Sequence, residues 1–255
     1  MNKEPLVSII TVVYNGEQYI EQTIKNVINQ SYKNIEYIII DGDSNDRTID
    51  IIQKYQNHIS YWSSEKDNGV YDAMNKGISY ANGEIIGIIN ADDYYNEFSV
   101  QEAVDKLTNK ESVEVFFGNL RRIYSPNSCK VICVPIPTNL CNNKINIVHP
   151  TVFVKRRVYT RKIFDSNLKI AADLDFLLTV CNKSNTVKSN RVITNMRIGG
   201  LSSNFVINNK EMFIVYRRFL PILLSFFMML RILSIKISVL LLKKIGQYTK
   251  NIFKI

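Results

Sequence analysis

The chain of 255 residues reads as an α/β protein, a mostly parallel sheet flanked by helices, with a C-terminal amphipathic helical tail. Three observations predict that class. Short β-branched apolar runs recur through the first half, segments with helical apolar spacing separate them, and polar turns close each run. With 46% hydrophobic and 22% charged residues and only 6 Pro, the composition excludes a disordered chain and supplies one full core.

Val7 to Tyr14 (VSIITVVY) is the first buried strand, ended by Asn15 and Gly16. Ile20, Ile24, Val27 and Ile28 then repeat at helical spacing. Ile35 to Ile40 is the second strand and Asp41 to Arg47 (DGDSNDR) a polar turn. Ile59 to Ser63 forms a third strand, and Val70 to Ala81 a helix that Asn82 and Gly83 stop. Ile85 to Ile89 is the fourth strand, followed by Asn90-Ala91-Asp92-Asp93. Ser99 and Glu102 match a capping box for the next helix. Strand and helix alternate, as in right-handed β-α-β units whose ligand site lies at the carboxyl ends of the strands. After Asn119 the pattern loosens: short strands are expected near Lys130 to Val134 and Thr151 to Val154, and a helix over Ala172 to Asn182. No internal repeat divides the chain, so residues 1–209 are expected to form one domain and 210–255 the tail.

The net charge of +9 favours an anionic partner. Lys and Arg are thin in the first half and dense after Lys155, so the basic surface belongs to the later chain. Cys129, Cys133, Cys141 and Cys181 have neither metal spacing nor a neighbouring His, and read as free thiols. The start, Met-Asn-Lys-Glu-Pro, leads straight into a strand without the apolar stretch of a signal peptide, which predicts a cytoplasmic protein.

The polar residues at the ends of predicted strands, Asn15, Asp41 to Asp46, and Asp92 with Asp93, gather on one edge of a parallel sheet. Adjacent carboxylates such as Asp92 and Asp93 repel each other unless protonated or bridged by a cation. Hard oxygen ligands suit Mg²⁺ or Mn²⁺, which leave positions open for phosphate oxygens.

Taken together, VSIITVVYN over Val7 to Asn15, DGDSND over Asp41 to Asp46, DNGVYDAMNKGISYANG over Asp67 to Gly83, and NADD over Asn90 to Asp93 resemble glycosyltransferase family 2. Order and spacing match over the first 95 residues or so. The resemblance implies a GT-A fold with a Rossmann-like sheet. It also implies a metal-dependent inverting transfer of a sugar from a nucleotide diphosphate donor, UDP-linked by family preference. Residues 1–119 become the donor-binding half and 120–209 the acceptor-binding half.

By the same resemblance, Val13, Tyr14, Asn15, Asp41, Asp43, Asp72, Asn75 and Asp92 contact the nucleotide sugar, with Asp41 the partner of the base. Asp92 and Asp93 hold the metal, Asp93 most firmly. AADLDF over Ala171 to Phe176 looks like the family's acidic helix opening, which makes Asp173 the catalytic base. His149, in His149-Pro150-Thr151, lines the acceptor cleft or packs as a neutral core residue. Arg197 and the turn Gly199-Gly200-Leu201-Ser202, with Gly200 and Ser202 placed on the diphosphate side, close over the leaving group or form an ordinary turn. Three departures stand out. Gly42 and Asp43 replace a common Asp-Gly, so the second acidic contact comes from Asp43 or is missing. Asn90 replaces a common Asp, and Ala172 a common Glu. The Gln-x-x-Arg-Trp signature of processive synthases is absent, which favours single transfers.

Phe219 to Leu242 is apolar but interrupted by Pro221, Arg231 and Lys236, which argues against a spanning helix. Leu241, Ile245, Tyr248 and Ile252 share a helical face opposite Lys236, Lys243 and Lys250. Such a segment suits the cytoplasmic face of the inner membrane, the catalytic domain or a homodimer partner. The expected partners are a UDP-sugar and a lipid-linked or glycan acceptor in cell-surface glycan synthesis, not nucleic acid. A dinucleotide-binding oxidoreductase is disfavoured because Asn15-Gly16-Glu17-Gln18 carries one glycine. A nucleotidyltransferase, or an inactive assembly protein that keeps the fold, remains the alternative.

Overall fold

The computed structural model describes residues 4–125, 128–133, 148–199, 205–223 and 225. Four parallel strands form its first half: β1 (Val7–Val13), β2 (Ile35–Asp41), β3 (Tyr61–Ser64) and β4 (Ile85–Asn90), in the order β3-β2-β1-β4. β1 is buried at every position, as a central strand covered on both faces requires. Register pairs Val13 with Asp41 and Val12 with Asn90, so three strand ends finish level on one edge.

Helix α1 (Ile20–Ile28) buries Ile20, Thr23, Ile24 and Val27. Helix α3 (Val70–Tyr80) buries Tyr71, Ala73, Met74 and Gly77. The last is a close approach: a Cβ at Gly77 would lie 2.4 Å from Ile10 Cγ2. Between them the polar turn leads into α2 (Thr48–Lys54), which the sequence reading did not anticipate. With only Thr48 and Ile52 buried, seven residues show no helical period.

The capping box needs correction. Helix α4 (Ser99–Thr108) does begin there, but no side chain caps it. The Ser99 hydroxyl instead donates to the Ile193 carbonyl at 2.7 Å, and Glu102 accepts from Arg191 at 2.9 Å and from Ser189. Long-range partners took the groups that a local motif would use.

The second half extends the sheet with antiparallel pairings rather than further β-α-β units. β5 (Tyr94–Tyr95), β6 (Val115–Ser125), β7 (Ser128–Ile132), β8 (Val152–Lys155) and β9 (Thr186–Arg197) complete the order β3-β2-β1-β4-β8-β6-β9-β5, with β7 on β6. β8 runs antiparallel to β4 and β6, whereas β9 runs parallel to β6 and antiparallel to β5. Helix α5 (Ala172–Val180) precedes β9. β6 and β9 were not anticipated. Gly118 and the Arg121-Arg122 pair break the alternation of β6, and polar residues fill much of β9.

The core clusters Ile9, Ile24, Ile39, Ile89, Val100 and Phe153 among others, each excluding about 1.5–3 kcal/mol worth of apolar surface from water. The chain divides into compact units at 1–203 and 204–255. In the second, α6 (Phe205–Phe219) carries Val215 and Tyr216 buried, and Arg217 Nη1 donates to the Leu220 carbonyl past its end. No helix among the described residues is long and apolar enough to cross a membrane. The amphipathic stripe predicted from Lys236 onward lies outside the described residues, as does Cys141. Cys129, Cys133 and Cys181 are free thiols.

Candidate active site

Two loops are stitched together at the shared strand edge. Asn15 sits in the left-handed region (φ 50°), its N–H donating to Ser44 Oγ at 2.7 Å and its Oδ1 accepting from the Asn45 N–H at 2.9 Å. Gly16 N–H donates to Thr48 Oγ1, and Gly42 N–H to the Val13 carbonyl. Asp41 is fully buried. Its carboxylate accepts from Ser44 N–H at 2.9 Å, Ser64 Oγ at 2.7 Å and Ser44 Oγ at 2.5 Å. Three internal donors thus hold this carboxylate, and their bonds fold the turn. Asp43 is exposed, also left-handed (φ 69°). Tyr14 is 64% exposed beside Gly42.

A further carboxylate, Asp67, lies there. A Cβ at Gly42 would stand 2.6 Å from Asp67 Oδ2, so the glycine leaves room for that acid, whose Oδ1 accepts from Gly69 N–H at 2.7 Å. Asp67 opens the stretch already singled out, but only the close approach at Gly42 reveals the pairing. Asp72 Oδ2 accepts from the Asn68 N–H and side-chain amide, which shapes the loop before α3. Asn75 is committed elsewhere: its Nδ2 donates to the Phe164 carbonyl at 2.9 Å and its Oδ1 accepts from the Phe164 N–H at 3.1 Å.

The acidic pair follows β4. Thr23 on α1 reaches the carbonyls of Ala91 and Asp93 with its one hydroxyl proton. Asp93 is 1% exposed and Asp92 half-buried. Burial first, and then the charge of Asp92, push the Asp93 carboxyl well above the usual carboxylate range, against the Arg197 N–H and the Asn90 amide. Burial raises Asp92 as well. Arg197, at the end of β9, donates through its N–H to Asp93 Oδ1 at 3.1 Å and through its guanidinium to the Asp92 carbonyl and Gln22 Oε1. The guanidinium lies 4.3 Å from the Tyr19 ring centroid and 5.3 Å from that of Tyr94. Arg197 therefore braces the acidic turn. Gly200 and Ser202 lie outside the described residues.

Asp173 opens α5. Its Oδ1 accepts from Leu174 N–H at 2.8 Å and Tyr71 Oη at 3.0 Å, and burial raises its carboxyl against those two bonds. Through Tyr71 it is tied to the start of α3, the segment whose preceding loop carries Asp67 up to Gly42. His149 is the packed alternative of the two foreseen: buried, edge-on to Phe164 at 5.2 Å, and lowered to about 4 by burial, hence neutral.

A buried acid beside a second acid gains from a cation, and both offer hard oxygens. Among the described residues no group of three or more His, Cys, Asp or Glu side chains could hold an ion. Two carboxylates completed by diphosphate oxygens and water fit Mg²⁺ or Mn²⁺.

This sheet, with acids at its strand ends and a helix opening on a carboxylate, is the frame of a glycosyltransferase, and comparison with known proteins agrees. The family model described as glycosyl transferase family 2 matches residues 8–168, so the chain belongs to glycosyltransferase family 2. An uncharacterized glycosyltransferase of Mycobacterium tuberculosis is 33% identical over 186 residues, 70% of either chain. TuaG of Bacillus subtilis, a glycosyltransferase assigned to teichuronic acid biosynthesis, is 33% identical over 122 residues, 46% of this chain and 48% of its own. In fold, the chain resembles S. aureus TarS 1–349 in complex with UDP-GlcNAc (TM-score 0.69, 18% identity, 88% of this chain and 70% of that one). It also resembles the mannosyltransferase PcManGT of Pyrobaculum calidifontis in complex with GDP-Man and Mn²⁺ (TM-score 0.64, 16% identity, 85% and 64%). The GT-A glycosyltransferase fold expected from the sequence is the fold found.

Proposed function

We propose that the protein is an inverting, non-processive, metal-dependent glycosyltransferase. It moves a sugar from a nucleoside diphosphate, UDP in the first instance, to a hydroxyl of a lipid-linked or glycan acceptor in cell-surface glycan synthesis. The observation that carries this reading is Asp93: a carboxylate almost wholly withdrawn from water, beside a second one, at the level edge of three parallel strands. The nucleotide sugars held by TarS and PcManGT support the donor class, and TuaG supports the setting.

Asp92 and Asp93 would hold the cation, and when bound it neutralises charge on the departing diphosphate. Tyr14, exposed beside Gly42, offers a ring on which a base can stack. Asp173 takes the proton of the acceptor hydroxyl as that oxygen bonds to the anomeric carbon. The bond from carbon to the diphosphate oxygen breaks in the same step, and the nucleoside diphosphate leaves with the electron pair. A single displacement from the opposite face inverts the anomeric configuration.

Thermal-shift screening of UDP- and GDP-sugars with and without Mn²⁺ tests the donor class, because a ligand that binds the folded chain raises its stability by mass action. The expected result is a metal-dependent shift that Asp93→Ala abolishes. Asp173→Asn should keep the shift and lose about 10²- to 10⁴-fold in transfer rate. A wild-type chain that no nucleotide sugar shifts, with either metal, defeats the reading. We assign residues 210–255 to peripheral attachment at the cytoplasmic face of the inner membrane; truncation after Asn209 should release the protein to the soluble fraction.

A further inference from the structure

Tyr71 stands at the start of α3, 6% exposed, its ring tilted 5.7 Å from that of Phe164. Its hydroxyl meets two acceptors, the Ile170 carbonyl at 2.7 Å and Asp173 Oδ1 at 3.0 Å. A phenol has one proton, so it serves one of them fully at a time. Oδ1 of Asp173 also accepts from Leu174 N–H at 2.8 Å, whereas no donor among the described residues reaches Oδ2.

We infer that Tyr71 is a positioning residue for the base: its hydroxyl holds Asp173 Oδ1 and turns between that oxygen and the Ile170 carbonyl, leaving Oδ2 as the atom that receives the acceptor's proton. The inference rests on the reading of Asp173 as general base. While Asp173 is ionised, the phenol donates to Oδ1 and stabilises the negative charge that burial opposes. Once Oδ2 has taken the proton, Oδ1 is a poorer acceptor and the phenol returns to the Ile170 carbonyl. Tyr71 neither gains nor loses a proton; only its hydrogen-bond partner changes. The Leu174 N–H stays on Oδ1 in both charge states, the phenol adds its bond to the ionised form alone, and Oδ2 is left for chemistry.

The remaining titratable groups on the packed segments have other engagements. Asp67 accepts from Gly69 N–H and Asp72 from the Asn68 amides. Lys169 donates to the Asn68 carbonyl at 2.8 Å, and Asp175 is paired with Lys162 at 2.7 Å. His149, edge-on to Phe164, is held neutral. Tyr71 is the ionisable side chain bonded to the Asp173 carboxylate.

Carboxyl-¹³C titration of the full chain, labelled at aspartate, tests this without a substrate; Asp173→Asn assigns the resonance. Tyr71→Phe should raise the Asp173 midpoint by about one pH unit, the scale of one hydrogen bond to a charged group. Installing 3-fluorotyrosine at position 71, a stronger donor of nearly the same size, should lower it. The fluorotyrosine arm decides alone if Tyr71→Phe does not fold. Equal midpoints in the wild type and every folded variant overturn the inference. Sugar transfer that survives Asp173→Asn would overturn it at a different point, the base assignment, while the titration still reports the coupling between the two side chains.

Discussion

At Asp41 one buried carboxylate gathers three internal donors. Asp41→Ala leaves the Ser44 N–H and the Ser44 and Ser64 hydroxyls without their buried acceptor, and should cost about 3 kcal/mol, read as a lowered urea midpoint. An unchanged midpoint would free the carboxylate for the role the sequence suggested. His149 gives the pH counterpart. Its folded value near 4 lies below the ordinary 6.5, so between those values the unfolded chain binds the extra proton. The contribution is whole above pH 6.5 and falls away towards pH 4, by about 3 kcal/mol in all. Burial raises Asp93 and Asp173, which act in the opposite sense, losing stability as pH rises. The quantity to read is therefore wild type minus His149→Phe: the gap in unfolding free energy should narrow, then reverse or vanish, between pH 7 and pH 4.5. The acids at strand ends were legible because a buried run followed by an acid is a local signal. Their supports were not: Ser64 is 23 residues from Asp41, and Arg197 is 104 from Asp93.

Helix α3 illustrates the element scale. Gly77 has a helix-weakening residue type in a helix interior, but it is the point where α3 touches Ile10 and Ile40. Gly77→Ala improves helix propensity by about 1 kcal/mol yet pushes a methyl into Ile10, and overpacking of that kind costs about 1–3 kcal/mol. A net fall of a few degrees in Tm is expected; a rise would show that the sheet yields there. The first four strands and α1, α3 and α4 were legible, since each carries its own apolar period. β6 and β9 were not, because a strand stabilised by neighbours on both edges does not need a clean alternation of its own. α4 was foreseen for a partly wrong reason, its Ser99 and Glu102 having been drawn away by β9 and its approach.

At the scale of the whole molecule, the half that carries the acidic pair depends on the half that follows it. β9 pairs with β5 directly beside Asp93, and its last residue, Arg197, bonds both Asp93 and the Asp92 carbonyl. A strand from the second half of the chain thus completes the turn that ends the first. The order of synthesis then matters. A chain emerging from the ribosome presents Asp92 and Asp93 roughly a hundred residues before their brace, and β6 with an open edge until β9 arrives. Until β9 docks, Asp93 Oδ1 lacks the Arg197 N–H that holds it in the finished fold. The acidic turn is in this way finished late in synthesis, by a strand that follows it by some ninety residues in the sequence.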